Sequence, residues 1–445
     1  VLQKLNNESH HGLMTAVAWD TAFWPPINQH TSIIIYERPL GGSVALAIER
    51  GEFKANEYEI QDTFIEPIYK AIKDMELKEI NHREIRVENL FFMDKGRTEV
   101  VLGDCVTCPP GFDQPLIYEP IERGMASPGG RGSGSLSDDL YAMGVTIVSL
   151  ILGKNIIEHK TPDDLFKEKI EHGSYSALCG KRRIPVTVIE PLRGVLSDDP
   201  GDRWGVEEMN LWMEGKRQTP MQRKPALKSE TPYIFMEIEY RNAKSLAHSF
   251  TQNVKEGAAA IKDEKLETWL RRNLEEGDLA DSINAIAAAA ELHENTFRGM
   301  DDYVVTKASI LMDPEGPIRY KGLAFMPEGY GPALAVELLR RNSMQTAAEV
   351  INHGITEIWY SAPCEKIRDE ASIEFQSVFA RLKTIPQIEG PGFGIERCLY
   401  DLNASLACQS PLIAELGIIN IEDLLPALDD IADRTDKKLR PLDRH

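Results

Sequence analysis

The chain has 445 residues, room for two or three domains at roughly 150 residues each. Its 50 basic and 70 acidic side chains leave a net charge of −20. That argues against a nucleic-acid partner, because gripping phosphates takes a basic face. The longest apolar run, Leu140–Leu152, falls short of the roughly 20 residues that cross a bilayer, so no membrane span is expected. The start, Val1-Leu2-Gln3-Lys4, has neither a basic nor an apolar leader region. A reducing, cytoplasmic setting is expected, with six scattered cysteines at 105, 108, 179, 364, 398 and 408. Cys105 and Cys108 form a CxxC, but no second pair is spaced to complete a zinc site, and free thiols are expected.

Apolar Met14–Trp19 and β-branched Ile33–Tyr36, separated by Pro25-Pro26 and Asn28, predict two strands. Ile60, Phe64, Ile65, Ile68, Ile72 and Met75 recur at helical spacing. Leu90–Met93 and Glu99–Leu102 flank Asp94-Lys95-Gly96, which predicts a hairpin with the glycine at positive φ. Gly/Pro-rich sequence fills 109–135. Ser137-Asp138-Asp139 is expected to cap a helix over 140–152, apolar all round and therefore buried. Residues 218–232, rich in Lys, Pro and Gln, read as a linker. Beyond it, helices are expected over Ser245–Ile261, Lys265–Leu274, Asp278–Glu291, Ala333–Arg341, Thr346–Asn352 and Glu365–Leu382. Punctuation at 314–332 divides that region in two, and Gly390–Gly394 reads as a plain turn.

Five motifs stand in order. His82-Arg83-Glu84-Ile85-Arg86-Val87-Glu88-Asn89 lies between the amphipathic helix and the hairpin. Gly103-Asp104-Cys105-Val106 closes the hairpin. Pro120-Ile121-Glu122, Asp139–Gly144 and Leu196–Trp204 follow. Together these resemble the catalytic loop, the metal-binding D-F-G, the A-P-E, the D-x-W-x-x-G and the late arginine segment of a protein kinase C-lobe. The resemblance spans about residues 33–217. It implies an α+β fold with a reduced N-lobe over 1–40, a mostly helical C-lobe over 41–217, and a mainly α-helical region over 233–445.

By that resemblance Asn89 and Asp104 stand at the Mg²⁺-holding positions, and Glu37 and Pro39 lie in the hinge that meets adenine. Glu84 replaces the catalytic Asp, and its extra methylene displaces the carboxylate by a distance that can cost about 10²-fold. Pro39 has no N–H to offer adenine. No glycine-rich phosphate loop and no strand lysine are found, Lys4 being the only basic candidate. The N-lobe is therefore either reduced or upstream of Val1. His82, Arg83, Glu122, Asp139 and Arg203 are expected in structural roles. Glu122 should pair with Arg203, with Glu119 as the fallback, and Asp139 should accept N–H groups near His82 and Arg83.

The resemblance thus implies a pseudokinase-type regulatory or scaffolding protein with a protein partner and, at most, weak Mg²⁺–ATP binding. The alternative it leaves open is an active Ser/Thr kinase, and Arg86 stands where such kinases carry a basic residue.

Overall fold

The fold is known from a computed structural model, which describes residues 12–56, 58–152, 161–220, 229–292, 299–364, 370–388, 390–436 and 443–445. Part of the linker over 218–232, the start of the helix expected from Glu365, and Lys4 lie outside these residues. Helices dominate, with four small sheets among them, an α+β composition. No described helix is long and apolar enough to cross a membrane.

The first sheet is the antiparallel hairpin β1 (Ala16–Trp24) and β2 (Gln29–Tyr36), pairing Trp19 with Ile34 and Phe23 with His30. Among the described residues only these two strands form it, and Val17, Trp24 and Ile35 remain about half exposed or more. Two connections tie it to the body. Met14 donates its N–H to Leu102, and Leu40 and Gly41 donate to Met93 and Phe92. Through the latter, β3 (Gly42–Ser43) joins β4 (Leu90–Phe92) and β5 (Val100–Leu102) in one antiparallel sheet.

The β4–β5 turn departs from expectation. Positive φ falls on Arg97, at 60°, and not on Gly96. The Asp94 carboxylate explains this: its Oδ1 accepts the N–H groups of Thr98 at 2.8 Å and Glu99 at 2.9 Å, which winds the turn one residue further. A Cβ on Gly96 would lie 2.7 Å from Asp94 Oδ2, so the glycine is there for room.

The periodic apolar face from Ile60 to Met75 is buried, but its first turn, Gln61–Ile65, is wound as a π-helix before the α-helix Glu66–Glu76. It packs on the helix Leu136–Leu152, which is buried almost all round. That helix begins before the expected cap, so Asp138 and Asp139 lie within its first turn, fully buried. Acidic groups are favoured there by the unpaired N–H groups of a helix start. One hydrophobic core runs from Leu13 to Met209.

The described residues between 233 and 436 are mainly helical, in two cores. One centres on Leu246, Phe250, Trp269 and Val305, the other on Phe325, Tyr330, Ile355 and Leu399. The helix expected over Ser245–Ile261 is two, Ala243–Gln252 and Val254–Ile261, broken at Asn253. Asn253 leaves the helical region at φ −130° and ψ 69°, and both its N–H and its side-chain amide donate to the Ser249 carbonyl at 3.1 Å, closing off the first helix. Two short hairpins also appear that the helical periodicity did not announce: β6 (Tyr233–Phe235) with β7 (Ile238–Tyr240), and β8 (Ile318–Tyr320) with β9 (Leu323–Phe325).

The second of these hairpins docks on the glycine-rich segment of the first half. Ser127 N–H donates to Ala324 O, and Met326 N–H to Gly130 O, each at 2.8 Å. A Cβ on Gly130 would lie 2.3 Å from Ala324 O, so only glycine lets the two backbones meet.

Candidate functional site

The segment His82–Asn89 leaves the amphipathic helix and is held open by the head of the buried helix. Asp139 Oδ2 accepts the His82 N–H at 2.6 Å, and Oδ1 accepts the Arg83 N–H at 2.8 Å. Arg83 takes a left-handed φ of 60°, a conformation that costs a non-glycine residue energy and must be held by its surroundings. Burial raises the Asp139 carboxyl to about 6 despite these hydrogen bonds and the Arg83 charge. Burial also pushes the His82 imidazole down to about 4, so the ring is neutral near pH 7.

Behind this loop lies a buried network of charges. Arg83 pairs with Glu119 at 2.7 Å, so Glu119 is not the fallback partner of Arg203. Arg203 bonds Glu122 at 2.9 Å and Asp138 at 3.1 Å. Arg123 bonds Asp138 at 2.6 Å and reaches Glu328 of the C-terminal region at 2.5 Å. Burial alone would raise Asp138, but Arg123, Arg83 and Arg203 outweigh it and hold the carboxyl well below the usual range. Lys169 donates to the carbonyls of Ile117 at 2.8 Å and Glu119 at 2.9 Å, and burial lowers its ammonium to about 7.

The residues expected to carry chemistry gather at the mouth of β4–β5, but their polar atoms are already engaged. Asp104 accepts four hydrogen bonds: Oδ1 from the Tyr36 hydroxyl and the Val106 N–H, Oδ2 from the Thr107 hydroxyl and N–H. Burial works against the charged form, yet these donors leave Asp104 lowered, while burial and the neighbouring Asp104 carboxylate push the Tyr36 hydroxyl up. Asn89 turns its amide N–H₂ to the carbonyls of Glu84 at 2.9 Å and Asp104 at 2.8 Å, while its Oδ1 lies against Gly103.

As a Mg²⁺ site this fits poorly. A hard cation needs free oxygens: Asn89 Oδ1 takes no hydrogen bond from the described residues, but both Asp104 oxygens are occupied by donors. Among the described residues no group of three or more His, Cys, Asp or Glu could hold a metal ion.

Glu84 is buried and similarly occupied. Its Oε2 is bonded by Arg86 Nη1, and its Oε1 accepts the Asp113 N–H at 3.2 Å and the Cys108 thiol at 3.6 Å. A base that must accept a substrate proton would first have to shed these partners. Both thiols of the CxxC are free, and burial pushes Cys105 up to about 12 and Cys108 to about 11, so neither is a thiolate near neutrality.

The expected hinge residues sit apart from this engagement. The Glu37 N–H and carboxylate clamp both sides of Thr15, the carboxylate at 3.2 Å. Pro39 opens a turn in which its carbonyl accepts the Gly42 N–H.

Several partners were not singled out from sequence: Tyr36 and Thr107 on Asp104, Glu119 on Arg83, and Arg123, Arg131 and Lys169 in the buried network. The available signal was weak: Glu119, Glu122, Arg123 and Arg131 stand among apolar and glycine residues, where burial would force them to pair.

No family model matches the chain. Among solved structures, a crystal structure of Rad53 1–466 in complex with AMP-PNP is 19% identical, with a TM-score of 0.37, over 46% of this chain and 51% of that one. The chain therefore spans about half the length of that structure, and at this TM-score the likeness carries no argument about the role of the chain.

Proposed function

We propose that the chain is a pseudokinase-type regulatory or scaffolding protein, built on a kinase-like lobe over 41–217 and a helical region over 233–445, that acts through a protein partner. The order of His82–Asn89, Asp104, Glu122, Asp139 and Arg203 supports the kinase-like part. The non-catalytic part rests on one observation: the Glu84 and Asp104 carboxylates are both consumed by internal donors. Phosphoryl transfer would ask Asp104 to hold Mg²⁺ beside the phosphates and Glu84 to accept the substrate hydroxyl proton, and both tasks need those oxygens free.

The test is radiolabelled ATP with generic Ser/Thr substrates and with the protein itself, beside an Asp104→Ala control. Background transfer in both is the expected result. Robust transfer that vanishes in the control would overturn this reading. A thermal-shift titration with ATP and Mg²⁺ reads nucleotide binding separately, and a weak shift or none is expected.

A second reading, an active Ser/Thr kinase whose N-lobe lies upstream of Val1, is favoured by a different observation. Among the described residues the β1–β2 sheet has two strands and leaves Val17 64% and Ile35 56% exposed, apolar area suited to a further layer.

A further inference from the structure

The docked hairpin of the C-terminal region is linked to Glu84 by an unbroken series of polar contacts. Met326 holds Gly130, and Glu328 holds Arg123. Arg131, next in the chain and buried, donates through Nη1 to the carbonyls of Gly111 at 2.8 Å and Gln114 at 2.5 Å. Gln114 in turn donates to the Ile85 carbonyl at 3.0 Å and accepts from Arg86 at 3.3 Å. The neighbouring Asp113 N–H occupies Glu84 Oε1. A second strut reaches the same loop directly, for Arg340 of the C-terminal region stacks 5.1 Å over the Phe112 ring.

We propose that the C-terminal region is a latch: by gripping residues 123–132 it keeps the loop 111–114 closed over Glu84, and its release takes the Asp113 N–H off Glu84 Oε1. The loop itself is anchored by buried Gln114 and, just beyond it, by Ile117 and Tyr118 in the main core, whereas the gripped segment is held less firmly. The apolar side chains of this segment, Ile121 and Met125, pack with Phe166 in a small cluster separate from the main core. Asp113 is exposed, and Cys108 beside Glu84 is partly open. Segments with few buried apolar contacts open at low free-energy cost, so a change at the hairpin can reach the loop without unfolding the core. That release would alter what the site binds rests on the kinase-like reading above; the mechanical coupling does not.

Cys108 reports the loop, because its thiol contacts Glu84 Oε1. Cys179, 2% exposed in the main core, reports global unfolding. Maleimide labelling of each thiol is followed by peptide mass spectrometry on the full chain and on Glu328→Gln, Arg340→Ala and Lys383→Ala. The last breaks only an exposed pair with Glu357. The proposal expects Cys108 labelling to rise about ten-fold in Glu328→Gln and a few-fold in Arg340→Ala, with Cys179 and the Lys383→Ala chain unchanged. Faster hydrogen exchange at 111–114 should accompany it.

If Glu328→Gln also exposes Cys179, the fold is lost in that variant, and Arg340→Ala, an exposed position, decides. Unchanged Cys108 labelling in Arg340→Ala would overturn the latch, as would faster exchange at Ser127 and Met326 with none at 111–114. Neither readout uses nucleotide, so failure here and failure of the pseudokinase reading are told apart.

Discussion

Arg203 Nη2 lies 2.9 Å from Glu122 Oε1, a residue 81 positions earlier, and both side chains are buried. The same guanidinium reaches Asp138 at 3.1 Å and donates through Nε to the Ser197 carbonyl at 2.9 Å. One cation therefore ties the segment after β5, the head of the buried helix and the late loop to each other.

Arg203→Met should cost about 3–5 kcal/mol, because it leaves Glu122 with an uncompensated buried charge and takes one of the two paired cations from Asp138. Urea unfolding of the two proteins measures it. A loss below about 1 kcal/mol would show that the pair is electrostatically idle.

His82 and Asp139 should give opposite pH dependences. The folded imidazole titrates at about 4, below its ordinary value, so between there and about 6.5 the unfolded chain binds the extra proton. Stability from His82 is lost as pH falls through that window. Asp139 titrates at about 6 in the fold, above its ordinary value, so the folded state binds the extra proton from about 3.8 to 6. Its contribution falls as pH rises through that window. The two largely cancel in the native chain. Asp139→Asn should therefore steepen the loss of stability on acidification from pH 6.5 to 4.5, and His82→Asn should flatten or invert it. Urea midpoints at pH 4.5, 5.5 and 6.5 test this, and parallel profiles for all three proteins would refute it.

Gly130→Ala should destabilise by several kcal/mol, since its Cβ would meet Ala324 O at 2.3 Å and Phe325 Cα at 2.8 Å, both backbone atoms. Gly277→Ala is the contrast. Its nearest neighbour is a side-chain nitrogen at 3.7 Å at the start of a helix, and the change should be neutral or stabilising by up to about 1 kcal/mol. Thermal midpoints of both variants give the comparison, and equal effects would contradict the backbone-docking account.

Tyr36→Phe should expose Asp104 Oδ1 by removing the hydroxyl that bonds it. Any Mg²⁺–nucleotide affinity should then rise relative to the native chain, measured by isothermal titration. Weaker binding in the variant would mean that the tyrosine assists the site instead of blocking it.

The lobe was legible because its signals are local. The apolar period from Ile60 to Met75, the β4–β5 hairpin and the all-apolar helix after Asp139 follow from side-chain spacing and burial. The pairs Asp139 with the His82 and Arg83 amides, and Glu122 with Arg203, were readable only because motif order supplied the partners. The β8–β9 hairpin was not legible. Three-residue strands carry almost no periodicity, and Gly129–Gly132 reads as a loop until a second backbone is laid against it.

The sequence by itself determined which residues are apolar, which are charged and in what order they come, and hence the helices, the main hairpin and the candidate positions Glu84, Asn89 and Asp104. Only the tertiary structure decided what those positions are bonded to. Tyr36 lies 68 residues from Asp104, and Glu328 lies 205 from Arg123. A carboxylate is free or spent according to which donors come within hydrogen-bond reach, and reach across such separations is set by how the chain packs, not by how it is spelled.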